Sequence, residues 1–279
     1  MGDTDLAAAE HLKKAFEVWG YREVCEKYNI KFFNLAKAKS KKIYLGKYLG
    51  YQEIAEILLD SQIITLPIGK THCLTTITGA LKNQWGCVPR VRHQFHPVAD
   101  YAIPEINKSL NVVFCLMDGT ITMEENAPRT GIPKITNFIM ASKDRVAIDS
   151  ALATIFGFDP KKIGHIVNSA KEGLGNIEFQ ILGDKKDFKP FNVLPPNPNR
   201  QPIFFWEMLL RRIPILKQIL FDTPIFSFLA WMATTYNTRI WFKKKGLTYV
   251  KAIWKYTEYG EVYKELFLKN YKIEDLERL

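Results

Sequence analysis

The chain is short of cysteine, and what it has is scattered. Cys25, Cys73, Cys87 and Cys115 form no C-x-x-C pair, which excludes zinc-finger and ferredoxin-type cluster motifs. No stretch offers the roughly 20 uninterrupted apolar residues of a transmembrane helix. The opening Met1–Glu10 is polar and alanine-rich, unlike a secretory signal, so a cytoplasmic setting with reduced thiols is expected. There is no internal repeat. Acidic residues are the scarcer charge: 29 Asp and Glu against 39 Lys and Arg, a net charge of +10 and a pI of about 9.3. That bias suggests an anionic partner: nucleotide, phosphate, nucleic acid or an acidic membrane surface. The remaining composition, 47% hydrophobic and 24% charged over 279 residues, is that of globular material with length for one or two domains.

Residues 5–29 carry a helical stripe of Leu6, Ala9, Leu12, Phe16 and Trp19, and Ile30–Leu35 reads as a strand. Lys37–Lys42 reads as a basic loop and Gln52–Leu59 as a short helix. Strands are expected at Ile63–Ile68, Val112–Met117, Ile135–Ala141 and Ile177–Leu182, with a helix over Asp144–Phe156. This alternation predicts an α/β fold: a mostly parallel sheet with flanking helices. The predicted α/β domain covers residues 1–190. A Pro/Asn linker follows over 191–200, and 201–279 form an α-helical C-terminal extension. Between Gln201 and Lys255 stand nine Lys/Arg and two Asp/Glu, with Trp206, Trp231, Trp241 and Trp254 among them. Phe205, Leu209, Ile213, Leu216 and Leu220 follow a helical stripe, with Pro214 expected as a kink.

The most informative segment is Lys70-Thr71-His72, then Lys82-Asn83 ten residues after the histidine, then Gly86-Cys87-Val88-Pro89. It lies where an apolar strand ends, the end at which open α/β sheets bind ligands. Cys73–Asn83 reads as a helix, with His72, Thr75, Gly79 and Lys82 on one face. Ten residues of helix cover about 15 Å, so His72 and Lys82 are expected to flank an elongated ligand without touching. Lysine can fix an anion or, desolvated, act as base or nucleophile; histidine can move protons or bind metal. The bland alternative, a solvated helix face with a capping histidine, is equally compatible with the residues.

Other candidates follow the same logic. Arg90 and Arg92 suit phosphate or carboxylate, with Lys70, Thr75, Asn83 and His96 as further anion ligands. His93 and His96, at i and i+3, form a metal half-site that Cys87 could extend, although cysteine is as often a small core residue. Asp118 ends an apolar strand before a glycine, where α/β enzymes place carboxylates, and Glu124 is its candidate acid/base partner; a turn aspartate bonding its own backbone is the competing reading of Asp118. Asp144 is expected to cap its helix. Asp149 lies inside that helix and needs a partner, such as a salt bridge.

His72, Lys82-Asn83, Gly86–Pro89, Met117-Asp118-Gly119, the run Met123–Gly131, Ala141-Ser142-Lys143-Asp144 with Asp149, and Gly173-Leu174-Gly175 together resemble the domain of unknown function 362 family. The resemblance covers about residues 10–185. It favours the functional reading of His72 and Lys82 over the bland one. Against the family pattern the chain reads as shortened or diverged at its N-terminus. It has Glu125 and Ala127 where the family often has glycine, and it lacks the ferredoxin motifs of many members. A remoter resemblance, to lactate racemase-like proteins, rests on a histidine ten residues before a lysine; here these are His72 and Lys82.

The expectation is thus a protein that binds an anionic small molecule, or a metal- or nucleotide-type cofactor, at a His/Lys/Asp site, with catalytic roles for His72, Lys82, Asp118 and Glu124. Two alternatives stand beside it. One is a non-catalytic accessory protein for redox or metal handling, held peripherally on an anionic membrane through residues 201–255. The other is nucleic-acid binding, for which no recognisable module is present.

Overall fold

The computed structural model describes residues 1–5, 12–88, 90–184, 189–197, 208–262 and 264, with the side chains of 18, 90 and 91 left aside. The chain divides into two compact units, Met1–Lys37 with Pro224–Leu279, and Ala38–Thr223.

In the first unit, β1 (Gly2–Asp3) pairs in parallel with β2 (Phe33–Asn34). Between them lie α1 (Leu12–Val18) and α2 (Tyr21–Tyr28). The single helix expected over 5–29 is broken at Gly20, whose φ of +78° is comfortable for glycine and ends a right-handed helix. Leu6 and Ala9 of its predicted stripe lie outside the described residues.

The Ala38–Thr223 unit opens with an antiparallel hairpin, β3 (Ser40–Gly46) and β4 (Gly50–Ala55). The basic residues read as a loop therefore begin a strand, and only the last four residues of the expected 52–59 helix are helical, as α3 (Glu56–Leu59). Period-2 alternation explains this: along β3 the chain turns Ile43 and Leu45 inward and keeps Lys41 and Lys42 outside.

The main sheet is built on one long strand. The apolar run at 63–68 divides at Pro67, which has no N–H to give a ladder, into β5 (Ile63–Thr65) and β6 (Ile68–His72). β6 turns back into β7 (Thr76–Thr78), antiparallel, with His72 opposite Thr76. The long strand is β8 (Val112–Glu124). β5 pairs in parallel with its first half and β6 with its second, and β9 (Ile132–Ser142) runs antiparallel along its other side. The α/β class with parallel strands at its centre is as the sequence indicates. Ile177–Leu182, expected as a strand, forms none: Ile177, Phe179 and Ile181 are half-buried and Glu178 and Gln180 exposed, but the segment joins no sheet.

The helices are α4 (Ala80–Asn83), α5 (Ala99–Ser109), α6 (Arg145–Ile155), α7 (Gly164–Lys171) and α8 (Pro214–Asp222), with 3-10 turns at Gln84–Cys87 and Arg90–Val98. Asp144 caps α6 by accepting from the N–H groups of Val146 and Ala147, both at 2.8 Å, as expected of an N-cap aspartate. Pro214 does not kink a helix; it opens α8 at the first turn, where its missing N–H costs nothing. The core gathers Ile77, Leu81, Trp85, Ile103, Ile106, Met117, Leu152 and Phe156 between sheet and helices. Gly69 lets β6 approach α6, since a Cβ there would lie 2.8 Å from Leu152.

Residues 191–197 run along this unit. Phe191 and Val193 donate to the carbonyls of Ile155 and Phe156, Leu194 to the Glu124 carboxylate and Asn197 to Asn126. The expected linker residues Pro198 and Asn199, and Phe205 and Trp206 of the extension, lie outside the described residues. The described residues beyond Thr223 include α9 (Ile225–Thr235), a π-helical segment Tyr236–Gly246, and α10 (Leu247–Tyr256). Among the described residues no single helix is long and apolar enough to cross a membrane.

Candidate functional site

Alternation along β6 places its side chains in two sets. Gly69 and Thr71 are buried on one face, and Lys70 and His72 share the other. Thr71 donates to the carbonyls of Met123 and Glu125, tying the Met123–Gly131 run to this strand. Glu125 has φ +63°, a left-handed conformation that suits glycine better than glutamate.

The segment after His72 overturns the expected helix. Its first part is the β6–β7 hairpin, and only Ala80–Asn83 is helical. The chain therefore doubles back, and Lys82 Nζ lies 3.0 Å from His72 Nε2. The pair expected to stand 15 Å apart is in contact.

Asp149 holds this geometry from α6. Its two carboxylate oxygens accept from the N–H groups of Ala80 (2.6 Å) and Leu81 (3.0 Å), at the start of the turn that carries Lys82. Its reason for being inside α6 is this cap and not a salt bridge. Gly79 makes room for it, since a Cβ there would sit 2.2 Å from the Asp149 oxygen. Burial pushes the Asp149 carboxyl up to about 7 against the lowering effect of the two N–H groups.

Hydrogen-bond direction decides the state of the pair. The Leu74 N–H donates to His72 Nδ1 at 3.1 Å, and a backbone N–H can only donate. Nδ1 is then bare, and neutral His72 carries its proton on Nε2. That N–H points at Lys82 Nζ, which must accept it and so must be a neutral amine. The environment agrees. Burial, then Lys70, brings Lys82 down to about 7, and burial brings Lys70 down to about 8. Burial first, then Lys82, Lys70 and His165, holds His72 well below the ordinary histidine value.

The same logic fixes His96. An Arg211 guanidinium nitrogen lies 2.8 Å from its Nδ1, and arginine only donates, so His96 also carries its proton on Nε2. Its ring stacks on Trp85 with centroids 6.1 Å apart, and burial keeps it well below the ordinary value, with His93 and Arg211 adding to the effect. Arg92 is buried and donates to the Val88 carbonyl. Its charge, like that of Lys70, disfavours a charged Lys82.

His165, on α7, completes the group. It is fully buried, and among the described residues neither ring nitrogen has a hydrogen-bond partner; the Asp100 carboxylate stands 3.9 Å from Nδ1. Burial, with Lys82 adding, lowers it to about 3. Sequence reading missed His165 and Arg211, which lie 83 and 129 residues beyond Lys82 with no motif around them.

Other candidates lie elsewhere or are engaged locally. Asp118 is exposed and accepts from the N–H and hydroxyl of Thr120, the turn bond of a strand-end aspartate. Glu124 is buried and bonded to Lys134 Nζ (3.1 Å) and the Leu194 N–H. Thr75 is buried and donates to the Ile77 carbonyl. Asn83 is exposed and donates to the Thr65 hydroxyl. Cys87 Sγ donates to the Gln84 side-chain oxygen Oε1 at 3.9 Å. His93 and His96 have ring centroids 5.0 Å apart, but among the described residues no three His, Cys, Asp or Glu are grouped to hold a metal. Pro89 and the Arg90 side chain lie outside the described residues.

Fold and site together define an α/β protein with a basic, histidine-rich cluster at the hairpin end of a central parallel strand. Residues 1–154 match the family described as domain of unknown function (DUF362), and the chain belongs to that family. It is also similar to the thylakoid-associated protein sll1697 of Synechocystis sp., at 31% identity over 127 residues. That stretch is 43% of this chain and 40% of the relative, so the match spans about two fifths of the relative's length. No solved structure matches. His165 and Arg211 lie beyond the residues of the family match.

Proposed function

We propose that the Ala38–Thr223 unit binds a small anionic molecule at the cluster around Lys82. The observation that supports this best is the gathering of Lys70, His72, Lys82 and His96, all half-buried, with no carboxylate paired to any of them among the described residues. Partly desolvated cations without a counter-charge are held in a state that favours deprotonation. An anion reverses that balance: it stabilises charged Lys82 and Lys70 and accepts the Nε2–H of His72 and His96. Binding therefore takes up a proton near pH 7.5, where Lys82 is otherwise mostly neutral.

The test is thermal unfolding of the full chain with phosphate, oxalate and a nucleoside diphosphate at constant ionic strength. A ligand at 100 times its Kd stabilises by about 2.7 kcal/mol. Wild type is expected to gain this with at least one anion, and Lys82→Met to lose the gain. An equal response of Lys82→Met, His72→Ala and wild type to every anion counts against the site.

A second reading concerns the C-terminal helices. Ile225, Phe228, Leu229, Trp231, Met232, Ile240 and Phe242 are all exposed, and residues 223–257 carry six Lys/Arg and no Asp or Glu. Exposed aromatics beside lysines suit the surface of an anionic bilayer, and the curated relative is named for its association with thylakoids. We infer peripheral membrane contact through this segment. Flotation of the full chain with phosphatidylglycerol vesicles tests it: co-flotation at low salt is expected, and a protein left at the bottom of the gradient removes the reading.

A further inference from the structure

We propose that Lys82 is a covalent nucleophile that condenses with the carbonyl carbon of a small aldehyde or ketone carrying an anionic group. This rests on the anion-binding reading above and goes beyond it by assigning a reaction to the amine.

The argument starts from the hydrogen-bond chain Leu74 N–H to His72 Nδ1, then His72 Nε2–H to Lys82 Nζ. Each donor in it is fixed, the first because backbone nitrogen can only donate. A charged ammonium at Lys82 would set N–H against N–H across 3.0 Å. The chain is satisfied only when Lys82 holds a lone pair, and a lone pair is what separates a nucleophilic lysine from an ordinary one.

The cations facing Lys82 act in the same direction. Lys70 from β6 and Arg92 from the 3-10 turn disfavour a charge on Lys82, while Cys73 favours one; His72, His96 and His165 also face it and are held neutral, in part by Lys82 itself. A desolvated lysine beside another cation is a known way to free an amine at neutral pH. The same cations are placed to hold the substrate's carboxylate or phosphate. Among the described residues, both ring nitrogens of buried His165 and the buried indole N–H of Trp85 have no hydrogen-bond partner, which gives the cluster polar groups for a ligand.

The step balances without an oxidant or reductant. Nζ attacks the carbonyl carbon, the N–C bond forms, and the C=O pair moves to oxygen. Both amine protons then leave with that oxygen as water, giving an imine. As the Lys82 lone pair is spent in the attack, the His72 Nε2–H loses its acceptor and becomes a donor for the developing oxyanion.

The experiment is reductive trapping of the full chain with cyanoborohydride, read by intact mass and peptide mapping. The probes are glyoxylate, glycolaldehyde phosphate and uncharged glycolaldehyde. One adduct at Lys82 is expected with glyoxylate or glycolaldehyde phosphate, and whichever reacts faster says whether carboxylate or phosphate is preferred. At pH 7 an amine with a pKa near 7 has on the order of a thousandfold more free base than an ordinary lysine. Trapping at Lys82 should exceed that at exposed lysines at least tenfold and be absent in Lys82→Arg. If that variant fails to fold, mapping of the wild type still decides which lysine reacts. Adducts spread over exposed lysines overturn the proposal. Stabilisation by oxalate without trapping at Lys82 also overturns it, while leaving the anion site intact. Trapping at Lys82 equally by charged and uncharged probes supports the nucleophile and overturns the anion reading.

Discussion

Two eleven-residue helices of this chain make opposite use of apolar side chains. In α6, eight of the eleven residues are buried, Leu152 completely. In α9, which reads Ile-Phe-Ser-Phe-Leu-Ala-Trp-Met-Ala-Thr-Thr, none is buried, and Leu229 is 43% exposed. Burial is thus a property of what an element faces. α6 lies on the sheet through Gly69 and sends Asp149 to support the turn bearing Lys82. α9 presents large exposed apolar groups, with basic residues following in the next segment.

The largest expected effect sharpens this contrast. Leu152→Ala should lower unfolding free energy by about 2–5 kcal/mol, whereas Leu229→Ala should change it by less than about 0.5 kcal/mol; urea denaturation of both measures the difference. Equal losses would mean that α9 is packed as α6 is.

Asp149→Asn comes next. The amide keeps one acceptor for two buried N–H groups, so a loss of about 1–3 kcal/mol is expected. Stabilisation by anions should fall with it, because the turn carrying Lys82 loosens. A variant with normal stability and normal anion response would show that the cap does not position the site.

The third effect is a pH dependence. Lys82 stands near 7 and Lys70 near 8 in the folded chain, against an ordinary 10.5. Between those values the unfolded chain binds more protons than the folded one, so stability rises with pH from about 7 towards 10.5. Below about 7 Lys82 is protonated in both states, so its slope vanishes and the cost of its buried charge is at its largest. Without added anion the denaturation midpoint should climb between pH 7 and 9, and Lys82→Met should flatten the climb. A slope unchanged by that substitution would mean that Lys82 is charged throughout.

The smallest effect on the fold, though not on membrane contact, is expected for Phe228→Ser with Trp231→Ser. Stability should move by less than about 1 kcal/mol while vesicle co-flotation falls several-fold. Binding that survives the double substitution and vanishes in salt would assign the contact to lysines alone.

Much of the scaffold could be read from residue patterns. The apolar runs at 112–117 and 135–141 lie in the long sheet strands, and Asp144 starts its helix. The errors share a cause. The residues from Cys73 to Asn83 have a helical spacing of Leu74, Ile77 and Leu81, but Thr76-Ile77-Thr78 is a β-branched run that pairs with Lys70-Thr71-His72, and pairing overrides spacing. Ile177–Leu182 is the converse case: a strand pattern that pairs with no strand. Asp149 looked like a misplaced charge because its partners, the N–H groups of Ala80 and Leu81, are almost 70 residues away and carry no side-chain signature.

By itself the sequence determined the α/β class, the basic balance and the family, because these rest on local periodicity, composition and short motifs, and it singled out His72 and Lys82 as candidates. Only the tertiary structure decided that the two touch, that Lys82 is the acceptor of that bond, and that His165 and Arg211 join them. Those facts depend on a hairpin closing and on helices distant in sequence packing against it, and on a low local dielectric that no single residue creates.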